Sequence, residues 1–173
     1  DSSLSAHHSL VVQVIQDICN FHGKKCSQFI SKIFPSYIQV IKGSDFDMKK
    51  VLFEQIGKLT LLTKSKIYPY VNELFQLVDH VWKPSAPFAL QSTIVKLIEY
   101  IIGSGSEETS PHLPHIMAKF AHILLSDRNM DVLQSDNDQL MTLLLSSIRR
   151  MSPFLKDYLF ILVPALVKSF DQS

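Results

Sequence analysis

The sequence predicts an all-α fold of about four stacked helix pairs, and three observations lead to this prediction. Stretches with one shared apolar pattern begin at residues 28, 69, 111 and 157, so successive copies start 41, 42 and 46 residues apart. A second apolar-periodic run precedes each stretch, and glycines follow several of these runs. A period of about 40 residues that holds two helices is typical of HEAT repeats. The predicted fold class is therefore a HEAT-repeat α-solenoid of about four helix-pair repeats.

The downstream helix of each predicted pair carries one apolar stripe. Within every stretch the third, sixth, seventh and tenth positions are apolar. This spacing of i, i+3, i+4 and i+7 covers one side of a helix with about 3.6 residues per turn. The predicted structural core consists of these positions in the four copies: Ile30, Ile33, Phe34, Tyr37, Val71, Leu74, Phe75, Val78, Leu113, Ile116, Met117, Phe120, Leu159, Leu162, Val163 and Leu166.

The upstream helices are predicted from the apolar runs that come before the stretches, such as residues 11–18 in the first pair. Gly23, Gly43 and Gly103 lie just past apolar runs, where a left-handed residue would end a helix. Asp45 or Asp47 is predicted to cap the second upstream helix. Residues 110–111, Ser-Pro, are predicted to start the third downstream helix as N-cap and first helical residue.

A single helix pair can bury its stripes only by stacking on its neighbours. The predicted repeats span residues 6–43, 45–83, 86–125 and 136–173. A free-standing solenoid needs terminal repeats with a polar outer face, whereas both ends of this chain show an interior pattern. We therefore expect residues 1–173 to be part of a longer solenoid, and to self-associate through their end faces when isolated.

Composition argues against several function classes. Seventeen basic and sixteen acidic residues leave a net charge of +1, which gives no general attraction to nucleic acid. No apolar run approaches the roughly 18 residues of a membrane span, and the N-terminus does not look like a signal peptide. We expect a soluble intracellular protein whose partners are proteins, with no nucleic acid and no direct membrane insertion.

No catalytic, cofactor or metal site is predicted. Neither GxGxxG nor GxxxxGK[ST] occurs, so no phosphate loop is expected. His112, His115 and His122 share one helix face, but sister helices carry lysine, glutamate or glutamine at matching positions, which disfavours a metal site. Cys19 is interpreted as a small buried hydrophobic residue rather than a disulfide partner or metal ligand. An all-helical enzyme is disfavoured for the same lack of chemistry.

Polar residues opposite the apolar stripes are the candidates for contact with a protein partner. They would lie on the concave side of the array: Lys32, Glu73, Asp79, His80, His115 and His122. Basic groups spaced by one repeat offer a second hypothesis, a basic edge for an acidic partner, although charge runs are usually just solvated. These groups are Lys24 with Lys25, Lys49 with Lys50, Lys64 with Lys66, and Arg149 with Arg150.

The order and the amino-acid sequences of the repeats resemble the middle HEAT-repeat region of the target-of-rapamycin (TOR) kinases. The resemblance is carried, in this order, by LSAHHSLVVQVIQDICNFHGKKCSQFISKIFPSYIQVI, LFEQIGKLTLL with IYPYVNELFQLV, QSTIVKLIEYI and DYLFILVPALVKSFD. It implies that the chain is a piece of a very large serine/threonine kinase that controls growth in response to nutrients. The connectors at residues 103–110 and 128–138 depart from the family's pattern.

The resemblance implies an architectural role and no enzymatic one for this segment. The HRD-like loop, the DFG motif and the glycine-rich nucleotide loop are absent, so no catalytic residue is carried over. The implied partners are the rest of the same TOR chain, raptor-like or rictor-like accessory subunits and a second TOR protomer. The implied location is cytoplasmic, with recruitment to endomembrane surfaces as part of the complex. The alternative is a free-standing HEAT-repeat adaptor of the karyopherin type that binds a peptide or folded cargo.

Overall fold

The computed structural model describes residues 2–83, 86–105, 107–125 and 134–171, and these residues form helices and short connections without any strand. Eight α-helices follow one another in the described chain. They are α1 Ser2–His22, α2 Ile30–Gly43, α3 Phe46–Thr63, α4 Val71–Val81, α5 Phe88–Gly103, α6 Leu113–Leu125, α7 Gln134–Met151 and α8 Leu159–Asp171. The predicted all-α class is confirmed.

Short 3₁₀ segments join the two helices within each pair. The first three are Gly23–Phe29, Lys64–Tyr70 and Glu107–His112, and two shorter ones, Ser152–Phe154 and Lys156–Tyr158, lie between α7 and α8. The third segment contains Ser110 and Pro111, so the prediction that these two residues start α6 is wrong, and the helix begins at Leu113. Asp45 does cap α3, because its Oδ1 accepts a hydrogen bond from the Met48 amide at 2.9 Å.

The helices stack in two layers. The upstream helices form one layer, in which α1 packs on α3, α3 on α5 and α5 on α7. The downstream helices form the other, in which α2 contacts α4 and α6 packs on α8. Every pair thus contributes one helix to each layer, which is the arrangement of an α-solenoid. The predicted solenoid of stacked helix pairs is confirmed.

Most of the predicted core side chains lie between the layers. Twelve of the sixteen are buried, and Ile33 and Leu166 are partly buried against the core. The prediction is wrong for Leu159 and Val163, which are 37% and 49% exposed. Both lie on a side of α8 that points away from its packing partner α6, so the same periodicity that buries a residue in α4 leaves these two in solvent.

The upstream layer is closely packed around its own apolar side chains. In α3 and α5 the fully buried members include Leu52, Phe53, Ile94 and Ile98. Gly57 permits a close approach of the two helices, since a Cβ atom there would lie only 3.1 Å from Cδ2 of Tyr100. None of the helices in the described part of the chain combines the length and hydropathy that a membrane crossing requires.

Candidate functional site

A polar seam joins α4 to the next repeat. Nε2 of His112 lies 2.7 Å from Oδ1 of Asn72, and Nε2 of His115 lies 3.0 Å from Oδ1 of Asp79. Nζ of Lys119 lies 2.9 Å from the same oxygen of Asp79. Asn72 and Asp79 are two turns apart on one side of α4, so the three contacts are arranged along that side of the helix. We call these five residues the α4–α6 seam.

Aromatic side chains lie directly against the seam. The ring of His112 stacks on Phe75 with a centroid distance of 4.5 Å. Trp82 at the end of α4 contacts Phe120 edge-on at 5.8 Å, and Nζ of Lys119 lies 5.5 Å from the centre of the Trp82 ring. Lys119 therefore combines an ion pair with a cation–π contact, which holds its long side chain in place. The polar contacts of the seam are therefore packed against aromatic side chains.

Burial lowers the pKa of His112, because the charged ring would lose its solvation. The charge of Asp79 raises this pKa and that of His115 lowers it further, but both effects are smaller than burial. The folded chain therefore favours neutral His112 more strongly than the unfolded chain does.

This preference predicts a pH dependence of stability. As the pH falls below the ordinary histidine pKa of 6.5, the unfolded chain takes up a proton at this position more readily than the folded chain. We expect His112 to contribute a loss of unfolding free energy between pH 6.5 and its lower folded pKa. Urea unfolding at pH 7.5 and pH 5 is expected to show a smaller loss for His112→Gln than for the unsubstituted chain. His80→Gln, on the exposed side of α4, is the control, and equal losses in all three proteins would contradict the prediction.

Two of the six predicted partner-facing residues, Asp79 and His115, contact each other. Lys32, Glu73, His80 and His122 are exposed at other positions on α2, α4 and α6. Sequence reasoning missed the contributions of Asn72, His112 and Lys119. A signal was available, because Asn72 and Asp79 are spaced i, i+7 in one repeat while His112, His115 and Lys119 are spaced i, i+3, i+7 in the next.

The histidines of this region are arranged for hydrogen bonding to side chains of α4. His112 and His115 contact different partners, Asn72 and Asp79, and so do not converge on one point. Within residues 2–83, 86–105, 107–125 and 134–171, no group of three histidine, cysteine, aspartate or glutamate side chains has the geometry to hold a metal ion.

A second polar cluster connects α5 and α7. Oγ of Ser147 donates a hydrogen bond of 2.6 Å to Oε2 of Glu99, and Nη1 of Arg150 donates to both carboxylate oxygens at 3.0 and 3.1 Å. Ser147 is fully buried and Glu99 is 8% exposed. The pattern of the sequence did not reveal this cluster, which joins neighbouring upstream helices inside the packed layer.

The cysteines are also paired. Cys19 in α1 and Cys26 in the first 3₁₀ segment form a disulfide, with Cα atoms 5.2 Å apart, and both side chains are buried. The prediction that Cys19 is a buried residue is right, but the preference against a disulfide is wrong. Periodicity indicates only the face of α1 on which Cys19 lies, whereas the 3₁₀ segment folds back on that helix and carries Cys26 to it.

Comparison with known proteins relates the whole chain to one group of kinases. Residues 1–64 match the family described as "Serine/threonine-protein kinase mTOR domain". The chain is 27% identical over 171 residues, 99% of its length, to "Serine/threonine-protein kinase mTor" of Drosophila melanogaster. The predicted resemblance to the TOR kinases is confirmed. TOR kinases tor1 of Schizosaccharomyces pombe and TOR2 of Saccharomyces cerevisiae are 27% and 28% identical over 173 residues, which is all of the chain.

The similarity concerns a small part of each TOR kinase. The chain spans about 7% of the length of each of these three relatives. The part of these relatives that the chain matches does not include their kinase domain.

Proposed function

We propose that the chain is a structural and protein-interaction scaffold segment of a TOR-type serine/threonine kinase. In this role it helps dimer and accessory-subunit assembly in nutrient and growth signalling. The proposed partners are the rest of the same TOR chain, raptor-like or rictor-like subunits and a second TOR protomer. The proposed location is cytoplasmic, with recruitment to endomembrane surfaces through the complex. The observation that carries the proposal is that both terminal helices have two apolar faces.

The first of these helices, α1, contacts α3, and it buries one face that includes Val12 and Cys19. Its other apolar face is in solvent. We call this face the α1 stripe, and its exposed fractions range from 48% to 87% in Leu10, Val11, Val14, Ile18 and Phe21. At about 100° per residue these side chains fall within an arc of roughly 100°, so they form one continuous surface.

The last helix, α8, repeats this arrangement at the other end of the array. Leu162 and Ala165 are buried on the side that packs against α6. Opposite them lies the α8 stripe, formed by Leu159, Phe160, Val163 and Val167 with exposed fractions of 37% to 72%. These four positions again follow i, i+1, i+4 and i+8, which places them on one side of the helix.

Helices inside the array show what covers such a stripe. α3 receives α1 on one side and α5 on the other, and α5 receives α3 and α7. In a solenoid, a helix with two apolar faces thus has a neighbouring helix packed on each of them. Relatives about fourteen times longer than the chain offer ample sequence for such neighbours. These observations support the proposal that the chain is an internal segment of a longer array of helices.

The stripes predict how the isolated chain behaves. Because the apolar stripes of one copy can be covered by the apolar surface of another, we expect the mass measured by light scattering to increase with protein concentration. Val14→Glu together with Phe160→Glu is expected to abolish this increase while leaving the melting temperature nearly unchanged. Lys96→Glu, an exposed change on α5, is the control and is expected to associate like the unsubstituted chain. A monomer at every concentration would contradict the proposed role of the stripes.

The scaffold role itself is tested by immobilising residues 1–173 and identifying the proteins retained from a cell extract. Recovery of the parent kinase or of raptor-like or rictor-like subunits is expected, and it should be lost in the Val14→Glu/Phe160→Glu protein if the stripes mediate assembly. Recovery of unrelated cargo without any kinase-complex subunit would instead favour an adaptor of the karyopherin type.

A further inference from the structure

The turn after α3 has an unusual backbone. Lys64, the first residue after the helix, has φ 48° and ψ −113°. This region of conformational space is open to glycine and strained for residues with a Cβ atom. Among the described residues Lys64 is the only non-glycine residue with a positive φ. The chain thus accepts local strain at an exposed lysine.

The first and third repeats have a glycine with a positive φ in the corresponding turn. Gly23 is the first residue after α1 and has φ 52°, and Gly105 in the turn after α5 has φ 74°. A Cβ atom on Gly23 would meet nothing within 4 Å, so glycine is present there for its backbone and not for lack of space. The second repeat has Lys64 in place of such a glycine, and the fourth repeat has no residue with a positive φ in the turn after α7. Among the described turns, the one in the second repeat thus combines this backbone conformation with a charged side chain.

Two further lysines lie on the same edge of the array. Lys25 belongs to the first 3₁₀ segment, which packs against α3, and Lys66 belongs to the second, which begins at Lys64. All three lysines are exposed, and within the described part of the chain none of their ammonium groups is in an ion pair. Leu61, one turn before Lys64, is 53% exposed. The edge therefore presents unpaired positive charge beside an apolar side chain.

We infer that this edge, formed by Lys25, Leu61, Lys64 and Lys66, binds an acidic segment of a protein partner. Carboxylates would pair with the ammonium groups, and an apolar residue of the segment would cover Leu61. A membrane surface is a poorer match, because anionic bilayers are typically recognised by clusters of about four to eight basic residues. This inference deepens the proposed scaffold function by naming the chemistry of one partner, and it does not involve the α1 or α8 stripes.

The decisive variant is Lys64→Gly, because it is expected to raise the stability of the chain and to weaken its binding of the acidic segment. Relief of the backbone is expected to raise the melting temperature by about 2–4 °C. Loss of the charge is expected to weaken binding of a fluorescein-labelled glutamate- and leucine-containing peptide about two- to fivefold, as measured by fluorescence anisotropy at low salt. A purely structural lysine would not show this weaker binding. Lys25→Ala and Lys66→Ala should weaken binding similarly, whereas Lys168→Ala, an exposed change on α8 in the last repeat, should leave it unchanged.

Several results would overturn the inference. One is equal affinity of the unsubstituted chain for the glutamate peptide and for the same peptide with glutamine in place of glutamate. Another is unchanged peptide affinity in Lys64→Gly despite a higher melting temperature. Binding to phosphatidylserine vesicles with no binding to the peptide would assign the edge to a membrane instead. Failure of self-association through the stripes would remove the scaffold argument while leaving the peptide result intact, so the two proposals fail separately.

Discussion

Leu74→Asp is expected to unfold the second repeat and to destabilise both of its neighbours. Leu74 is fully buried in α4. The substitution removes about 1.5–3 kcal/mol of apolar burial and places a charge where no partner has been provided. We expect a total loss of more than about 4 kcal/mol, which is comparable to the whole stability of many domains. Thermal and urea unfolding followed by circular dichroism measure this loss.

Gln76→Asp is the matched control, because it adds the same charge to an exposed position two residues further along α4. Its melting temperature is expected to stay close to that of the unsubstituted chain. If Leu74→Asp also melted at an unchanged temperature, the repeats would not depend on shared burial, and the stacking argument would be lost.

Arg150→Ala is expected to cost about 1.5–3 kcal/mol of unfolding free energy. The arginine donates to both oxygens of Glu99, and the side chain of Glu99 is only 10% exposed. Removing Arg150 leaves a largely buried carboxylate with Ser147 as its remaining partner in this cluster. The side chain of Arg150 is 61% exposed, which keeps the expected loss below that of a fully buried ion pair. Urea denaturation gives the value directly.

The neighbouring Arg149 provides the control, since it is exposed on the same turn of α7 and is expected to tolerate alanine. Glu99→Gln in the Arg150→Ala background is expected to recover part of the loss, because the buried group is then neutral. An Arg150→Ala protein as stable as Arg149→Ala would show that the cluster does not hold α5 and α7 together.

The two polar clusters have different positions in the array. The Glu99 cluster lies within the closely packed upstream layer, where it adds a specific contact between α5 and α7. The α4–α6 seam lies in the downstream layer, where His115 is exposed and Asp79 is only partly covered. Separating hydrogen-bonded polar groups costs less free energy than exposing buried apolar side chains, because water forms hydrogen bonds with the separated groups. We therefore expect the downstream layer to open at the seam more readily than the upstream layer opens at α3 and α5.

Much of this architecture follows from the sequence alone. Periodicity of about 3.6 residues locates the helices, and the repeat of about 40 residues pairs them, because a local pattern repeated in space produces a solenoid. Twelve of the sixteen predicted core side chains are buried for this reason. The order of the segments also indicated the TOR kinases, a resemblance that the comparisons confirm.

Other features were decided only by the tertiary structure. Asp79 pairs with Lys119 and Glu99 with Arg150 across repeats, and the register between two stacked helices cannot be read from the pattern of either one. Two stripe positions that are core in α4, Val71 and Phe75, correspond to exposed Leu159 and Val163 in α8, because burial depends on whether a neighbour is present. The positive φ of Lys64 depends on the turn in which it lies and on the residues packed around that turn. Local chemistry determines which elements form, whereas contacts between residues distant in sequence arise only when those elements are stacked.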